Sequence, residues 1–166
     1  MKPALLVIDV QQAFSSSSPE TTRSMTAAIQ YINAAITLFR KQNLPVICIQ
    51  HIDENDGVVP GSQGFDLVDG LNILSTDLHI HKTYGNSFNK TELLPKLMEM
   101  GVDTLILCGY CAEHCVLSTY RGARDRDLTP ILLRGALASD TPENILFVES
   151  ISEIISLGAL GKILNP

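Results

Sequence analysis

Five short apolar runs, built mostly of Val, Ile and Leu, recur along the chain at residues 4–10 (ALLVIDV), 46–51 (VICIQH), 78–81 (LHIH), 104–108 (TLILC) and 130–133 (PILL). Near-continuous apolarity, rather than strict alternation, is the pattern of strands covered on both faces, as in a parallel sheet. Between the first two runs, residues 25–42 place Ile29, Ile32, Ala35, Ile36 and Phe39 at helical spacing. Asn43 then reads as a helix stop, and Pro45 leads into the next strand. The tetrapeptide Asn89-Lys-Thr-Glu92 resembles a capping box and predicts a helix that ends near Gly101. Residues 113–126 and 143–157 predict two more helices. Strands that alternate with helices imply βαβ units, and so a three-layer α/β/α sandwich around a central, mainly parallel sheet.

Two stretches fit this scheme less well. Residues 15–18 are a run of serines, read as a polar loop after the first strand. Residues 55–70 (NDGVVPGSQGFDLVDG) are glycine-rich and long for a connection, and loops of that length are often functional covers. No internal repeat or linker interrupts the chain, so its 166 residues are expected to form a single domain, 1–166.

Composition narrows the function classes. The chain is 45% hydrophobic and 18% charged, which is globular rather than disordered. Its net charge of −6, with no Lys/Arg-rich run, argues against nucleic acid or an anionic membrane as a partner. Asp9 interrupts the first apolar run before the core of a signal peptide could form. No stretch approaches the roughly eighteen apolar residues of a membrane span. Four cysteines without an export signal point to reduced thiols and a cytoplasmic location.

In an open parallel sheet, ligands bind outside the carboxyl ends of the strands. Asp9 lies near the end of the first run, Lys82 just after the third, and Cys108, Cys111 and Cys115 follow the fourth. A carboxylate, an ammonium and a thiol are therefore expected at one edge of the sheet. Each has an ordinary alternative: Asp9 as a turn residue, Lys82 as a solvated strand end. A buried Asp–Lys pair would offset the desolvation of both.

The cysteines admit three readings. As a metal site, C-x₂-C-x₃-C lacks a well-placed fourth ligand, since structural zinc takes four, and His114 is too close in sequence to Cys115 to share a metal readily. As a redox pair, Cys108-Gly-Tyr-Cys111 looks thioredoxin-like, but it falls late in the chain, and Cys108 belongs to an apolar run. As a nucleophile, Cys115 sits at the start of a predicted helix, where backbone N–H groups and the helix dipole lower a thiol pKa and can hold an oxyanion. The nucleophile reading is the favoured one.

At this point the residues resemble a known family, the isochorismatase-like cysteine hydrolases, which include nicotinamidases, N-carbamoylsarcosine amidases and ureidoacrylate hydrolases. The resemblance runs through LLVIDVQQAF, PGSQGFDLVDGL, HKTYGNSFNKTELLPKL, GVDTLILCGYCAEHCVLSTYRGARDRDL and ILLRGALAS, in that order. It implies an isochorismatase-like, Rossmann-like hydrolase fold. It also implies a catalytic triad of Asp9 (in Ile8-Asp9-Val10-Gln11), Lys82 (before Asn86-Ser87-Phe88) and Cys115 (in Cys115-Val116). A non-proline cis peptide before Cys111 is implied too, with the backbone N–H groups of Cys111 and Cys115 as the oxyanion hole. The implied reaction is hydrolysis of an amide or ureido C–N bond in a small molecule, through a thioester on Cys115 with Asp9 as base and Lys82 assisting. Phe14, Phe88 and Tyr110 are candidate substrate-binding residues. No cofactor or metal is expected, and a homo-oligomer, dimer or tetramer, is implied.

The chain departs from the family pattern in two places. Ala112-Glu113-His114 puts unusual polar side chains beside the nucleophile. Where nicotinamidases carry an Asp-x-His…His metal set, this chain reads Gln50-His51-Ile52-Asp53 with no matching second histidine, so His51 is expected to be a strand-end residue rather than a ligand. His79 and His81 are expected to pack or hydrogen-bond. Two alternatives stay open: a thiol–disulfide oxidoreductase using Cys108 and Cys111, and a non-catalytic member of the fold that binds a small molecule.

Overall fold

The computed structural model describes residues 1–165. Six parallel strands form one sheet: β1 (Pro3–Ile8), β2 (Val46–His51), β3 (Leu78–Lys82), β4 (Thr104–Gly109), β5 (Thr129–Leu137) and β6 (Ile154–Ile155). Their order is β3-β2-β1-β4-β5-β6. The direction of winding reverses between β1 and β4, so the crevice at their carboxyl ends is where this topology places a ligand. Every side chain of β1 is buried. Leu5 and Val7 face one core with Met25, Ile32, Ile36 and Phe39, and Ala4, Leu6 and Ile8 face the other with Leu93, Leu97, Val116 and Tyr120. This is the three-layer α/β/α sandwich.

One face carries α1 (Gln12–Ser15), α2 (Pro19–Lys41) and, last in the chain, α6 (Leu157–Leu164). α2 begins six residues earlier than its apolar periodicity predicts. Residues 20–24 are polar, yet Ser18 Oγ accepts from Thr21 N–H at 3.0 Å and Pro19 fills the first helical position. The serine run is thus the end of α1 followed by the N-cap of α2, not only a loop. At the other end Asn43 adopts φ 53°, and Leu44 N–H reaches back to the Phe39 carbonyl at 2.9 Å. That is the left-handed stop expected of Asn after a helix.

The opposite face carries α3 (Leu93–Glu99), α4 (Leu117–Arg124) and α5 (Pro142–Ser150). α3 starts at Leu93, not at Asn89, and Glu92 makes no side-chain cap bond. Pro95 is the reason: it has no N–H for the carbonyl of Thr91, so a helix running from Asn89 would carry a proline in its interior. The predicted helix at 143–157 is likewise divided. Ile154 and Ile155 pair with Leu132 and Leu133 at the sheet edge, and Ser156 caps α6 by accepting from Ala159 N–H at 3.2 Å. β5 outruns its predicted four residues because Gly135, at φ 82°, carries it past an irregularity until Leu137 pairs with Gly109.

Residues 55–70 are tied across the carboxyl edge. Gln12 N–H donates to Asp66 O, Ala13 N–H to Gly64 O, and Val68 N–H to Val10 O, at 2.9–3.1 Å. Gln11, fully buried, donates from Nε2 to the carbonyls of His51 (3.0 Å) and Phe65 (3.3 Å), and accepts from His51 N–H at 2.7 Å. Among the described residues no helix is long and apolar enough to cross a membrane.

Candidate active site

Each strand that ends at the crevice delivers one side chain. Asp9 follows β1 in the left-handed region at φ 53°, its N–H held by Ile49 O at 2.9 Å. Non-glycine residues enter that region at a cost and cluster at functional sites, and Asp tolerates it better than most. Lys82 closes β3. β4 ends at Gly109, φ 115°, where a Cβ would stand 2.0 Å from the Ile8 carbonyl oxygen. Only glycine lets the chain pass β1 there and turn into the Tyr110–Cys111 peptide, which is cis. A π-turn, Ala112–Val116, then leads into α4 and carries Cys115. Its first residues are anchored by Ala112 N–H on Ala138 O (2.9 Å) and by two N–H groups, of His114 and Val116, on Cys111 O (both 3.1 Å).

Lys82 Nζ joins these elements. It donates to Asp9 Oδ2 at 2.7 Å, to Cys115 Sγ at 3.4 Å and to His51 Nδ1 at 3.1 Å, three acceptors for the three protons of an ammonium. Lys82 and Asp9 are both buried. Asp9 Oδ1 completes no hydrogen bond, although the Cys115 thiol adjoins this carboxylate. Burial raises the Asp9 pKa above the ordinary carboxylate range despite the opposing charge of Lys82. Burial, then the Asp9 charge, pushes the Cys115 thiol up to about 12, with Lys82 opposing. The expectation that a helix terminus would leave Cys115 with a lowered pKa is therefore corrected: desolvation outweighs it, and the resting sulfur keeps its proton. His51 is held below its usual pKa by burial and by Lys82, so its neutral ring can accept from the ammonium.

Around this group, Phe14 stacks on Tyr110 with ring centroids 5.5 Å apart and tilts against His51 at 6.2 Å. Phe88 is elsewhere. It is buried in the core with the Arg126 guanidinium 5.0 Å over its ring, toward the far end of α4. The preceding Ser87 hydrogen-bonds Thr119, so this segment runs along α4 away from Cys115. Phe88 therefore packs α4 rather than lining the crevice. A cavity of about 410 Å³ opens beside His51, lined also by Ile52, Asp53, Glu54, Asn55 and Thr83. Another of about 240 Å³, at Tyr120, Arg124, Thr129 and Pro130, lies at the amino end of the sheet, remote from the Lys82 cluster.

The other candidates separate cleanly. Cys108 is fully buried, its Sγ donating to Leu6 O at 3.3 Å, and all four thiols are free. A sulfur so enclosed has no access for thiol–disulfide exchange. Asp53 Oδ1 caps the following turn through Asn55 N–H (3.0 Å), while His51 Nδ1 turns to Lys82. His79 Nε2 donates to Leu74 O (3.0 Å), and His81 lies edge-on to Phe65 at 5.0 Å. Two residues take roles that the sequence pattern does not assign. His51 joins the cluster only through space, and Glu113 forms a network with Cys111 (Sγ to Oε2, 3.0 Å), Ser139 (2.9 Å) and Asn144 (2.6 Å). Those hydrogen bonds hold Glu113 below its ordinary pKa despite partial burial. Gln11 did carry a signal, since it belongs to the Ile8-Asp9-Val10-Gln11 motif.

Comparison with known proteins gives a consistent picture. A family model described as the Isochorismatase domain matches residues 3–147. An uncharacterized isochorismatase family protein of Bacillus subtilis, YddQ, is 30% identical over 144 residues, covering 85% of this chain and 80% of its own. An isochorismatase-like hydrolase from Alkaliphilus metalliredigens superposes with a TM-score of 0.88 at 23% identity, over 98% of this chain and 99% of the other. N-carbamoylsarcosine amidase from Thermoplasma acidophilum superposes with a TM-score of 0.81 at 24% identity, over 95% and 97%. At those identities the superpositions speak for the fold. With a domain model over most of its length and a relative of this similarity, the chain belongs to the isochorismatase family of hydrolases.

Proposed function

We propose that the protein is a cysteine hydrolase that cleaves an amide or ureido C–N bond of a small molecule through a thioester on Cys115. The observation that carries this reading is a single nitrogen, Lys82 Nζ, hydrogen-bonded at once to Asp9 Oδ2 and Cys115 Sγ in a buried setting. The motif resemblance around Asp9, Lys82 and Cys115 supports the C–N class.

In this mechanism the thiol proton passes to Asp9, whose Oδ1 is without a partner. A raised pKa makes that carboxylate a better base than an ordinary aspartate. Lys82 stays beside the sulfur and stabilises the thiolate as it forms. The thiolate attacks the carbonyl carbon, and the oxyanion is met by the backbone N–H groups of Cys111 and Cys115. Protonated Asp9 gives its proton to the departing amine as the C–N bond breaks, leaving an acyl thioester on Cys115. Asp9 then takes a proton from water, whose hydroxide attacks the thioester, and the carboxylic or carbamic acid leaves as the thiol is restored. Phe14 and Tyr110 offer a flat apolar wall for the substrate, and the cavity beside His51 offers room for its polar end.

The test is a panel of small amides and ureido compounds read by amine or ammonia release. Cys115→Ser and Asp9→Asn should each lower turnover by about 10³-fold or more, within the range attributed to positioned acid–base groups and above. Near-normal turnover by Asp9→Asn would remove Asp9 as the base. An acyl adduct on the Cys115 peptide, trapped with a slow substrate, would support the thioester. The same reading takes the chain as one domain in a reducing, cytoplasmic setting, and as a homo-oligomer. Leu146 and Phe147 on α5 and Ile151 at its C-cap, each 44–69% exposed, favour a self-associating surface.

A further inference from the structure

The turn after β4 holds a second group of reactive side chains, next in sequence to the nucleophile. Cys111 Sγ, a Glu113 carboxylate oxygen and a His114 ring nitrogen all lie within 4.8 Å of one another. The carboxylate is oriented from outside. Its Oε1 accepts from Ser139 Oγ at 2.9 Å and Asn144 Nδ2 at 2.6 Å, which leaves Oε2 facing the Cys111 sulfur at 3.0 Å. Outer donors of this kind fix the ligand carboxylates of metal centres. Asp140, whose Oδ1 is 3.5 Å from Ser139 Oγ, adds a second carboxylate nearby.

We propose that Cys111 Sγ, Glu113 Oε2 and His114 bind one zinc-class divalent cation, with water as the fourth ligand. The donor set decides the class: one sulfur, one nitrogen and one oxygen suit borderline-soft Zn²⁺ or Co²⁺ and disfavour Mg²⁺ and Ca²⁺, which take oxygen. Ligand atoms in a tetrahedral zinc centre stand about 3.3–3.8 Å apart, so Cys111 Sγ and Glu113 Oε2, 3.0 Å apart, open slightly while the His114 nitrogen, within 4.8 Å of both, closes by up to roughly 1 Å. His114 is exposed and its ring is free to make that movement. On binding, the Cys111 S–H bond breaks and an S–metal bond forms. The proton goes to solvent, and Glu113 Oε2 exchanges a thiol contact for the cation. Cys115 is excluded as the anchoring sulfur because Lys82 Nζ, 3.4 Å away, repels a cation there. The inference is independent of the proposed hydrolysis.

The experiment is a Co²⁺ titration of the full chain after chelator treatment, read by the thiolate-to-cobalt charge-transfer band and the visible bands of tetrahedral cobalt. One equivalent should bind to the wild type and to Cys115→Ser with the thiolate band intact, and the band should vanish in Cys111→Ser. Zn²⁺ competition against a chromophoric chelator should show His114→Ala and Glu113→Gln weakened at least tenfold, and the exposed His114 makes that variant safe for folding. The proposal is overturned if the wild type shows no thiolate band, if the band survives Cys111→Ser or disappears in Cys115→Ser, or if His114→Ala binds Zn²⁺ as tightly as the wild type.

Discussion

Lys82→Met removes the ammonium at the centre of the site while keeping most of the apolar stem. In the wild type Nζ lies 2.7 Å from Asp9 Oδ2 with both side chains buried. At an effective dielectric of about 20, that separation corresponds to roughly 6 kcal/mol of attraction. The variant leaves Asp9 with no partner on either oxygen, since Oδ1 already lacks one. The carboxylate need not stay ionised, however. Protonating a carboxyl of ordinary pKa 3.8 at pH 7 costs about 4.4 kcal/mol, at about 1.36 kcal/mol per pH unit. Protonation is the cheaper course, so the variant should hold Asp9 neutral, and its loss of stability should be limited to about that figure.

The pH dependence follows from the same comparison. Unfolded Asp9 ionises above its ordinary pKa, whereas the folded variant keeps the proton. The unfolded state therefore gains on the folded one as pH rises. In the variant this cost grows from about 1.6 kcal/mol at pH 5 to about 4.4 kcal/mol at pH 7. Because burial already raises Asp9 in the wild type, the difference between the two proteins opens only above the wild type's own folded pKa and stays below these figures. Urea denaturation of both proteins at pH 5, 6 and 7, followed by far-UV circular dichroism and analysed with a common m value, measures it. A difference between variant and wild type that stays flat across this range would refute the picture of Asp9 as a buried carboxyl that needs Lys82 in order to ionise.

Gly109→Ala puts a Cβ 2.0 Å from the Ile8 carbonyl oxygen at φ 115°. It should fail to fold or lose about 3 kcal/mol or more, through strain at a glycine-only backbone position. Gly158→Ala, helical and with nothing within 4 Å, should instead gain up to about 1 kcal/mol, both variants being measured by the same urea denaturation. For the reaction, Asp9 must be ionised to take the thiol proton, and burial raises its pKa. Activity should therefore fall on acidification through a midpoint above the ordinary aspartate value of 3.8. A kcat/KM profile with its acid limb at or below that value would contradict the assignment.

The chain's own pattern determined a good deal. Continuous apolar runs set the strands, because a strand covered on both faces has no polar side to encode. The spacing of Ile29, Ile32, Ala35, Ile36 and Phe39 marked the stripe of α2, and all but Ile29 are buried there. The sequence order groups Asp9, Lys82 and Cys115, because parallel strands all end on the same edge. The helix starts were within local reach as well, since Ser18-Pro19 and Pro95 act on backbone groups only a few residues away. Apolar periodicity does not mark the polar first turn of α2, and the capping-box pattern at Asn89–Glu92 does not register Pro95.

What tertiary structure alone decided concerns groups that meet across long stretches of chain. His51 and Lys82 are 31 residues apart, and Glu113 reaches Ser139 and Asn144 across 26 and 31. Phe88 has the composition of a pocket wall, yet it packs under Arg126 because its segment runs along α4. The protonation of Cys115 went against the local expectation for the same reason. A helix terminus is a feature of neighbouring residues, whereas desolvation and the charge of Asp9 come from strands the thiol meets only when the sheet closes. Periodicity is written within a few residues of each position, but burial and charge pairing belong to the assembled layers.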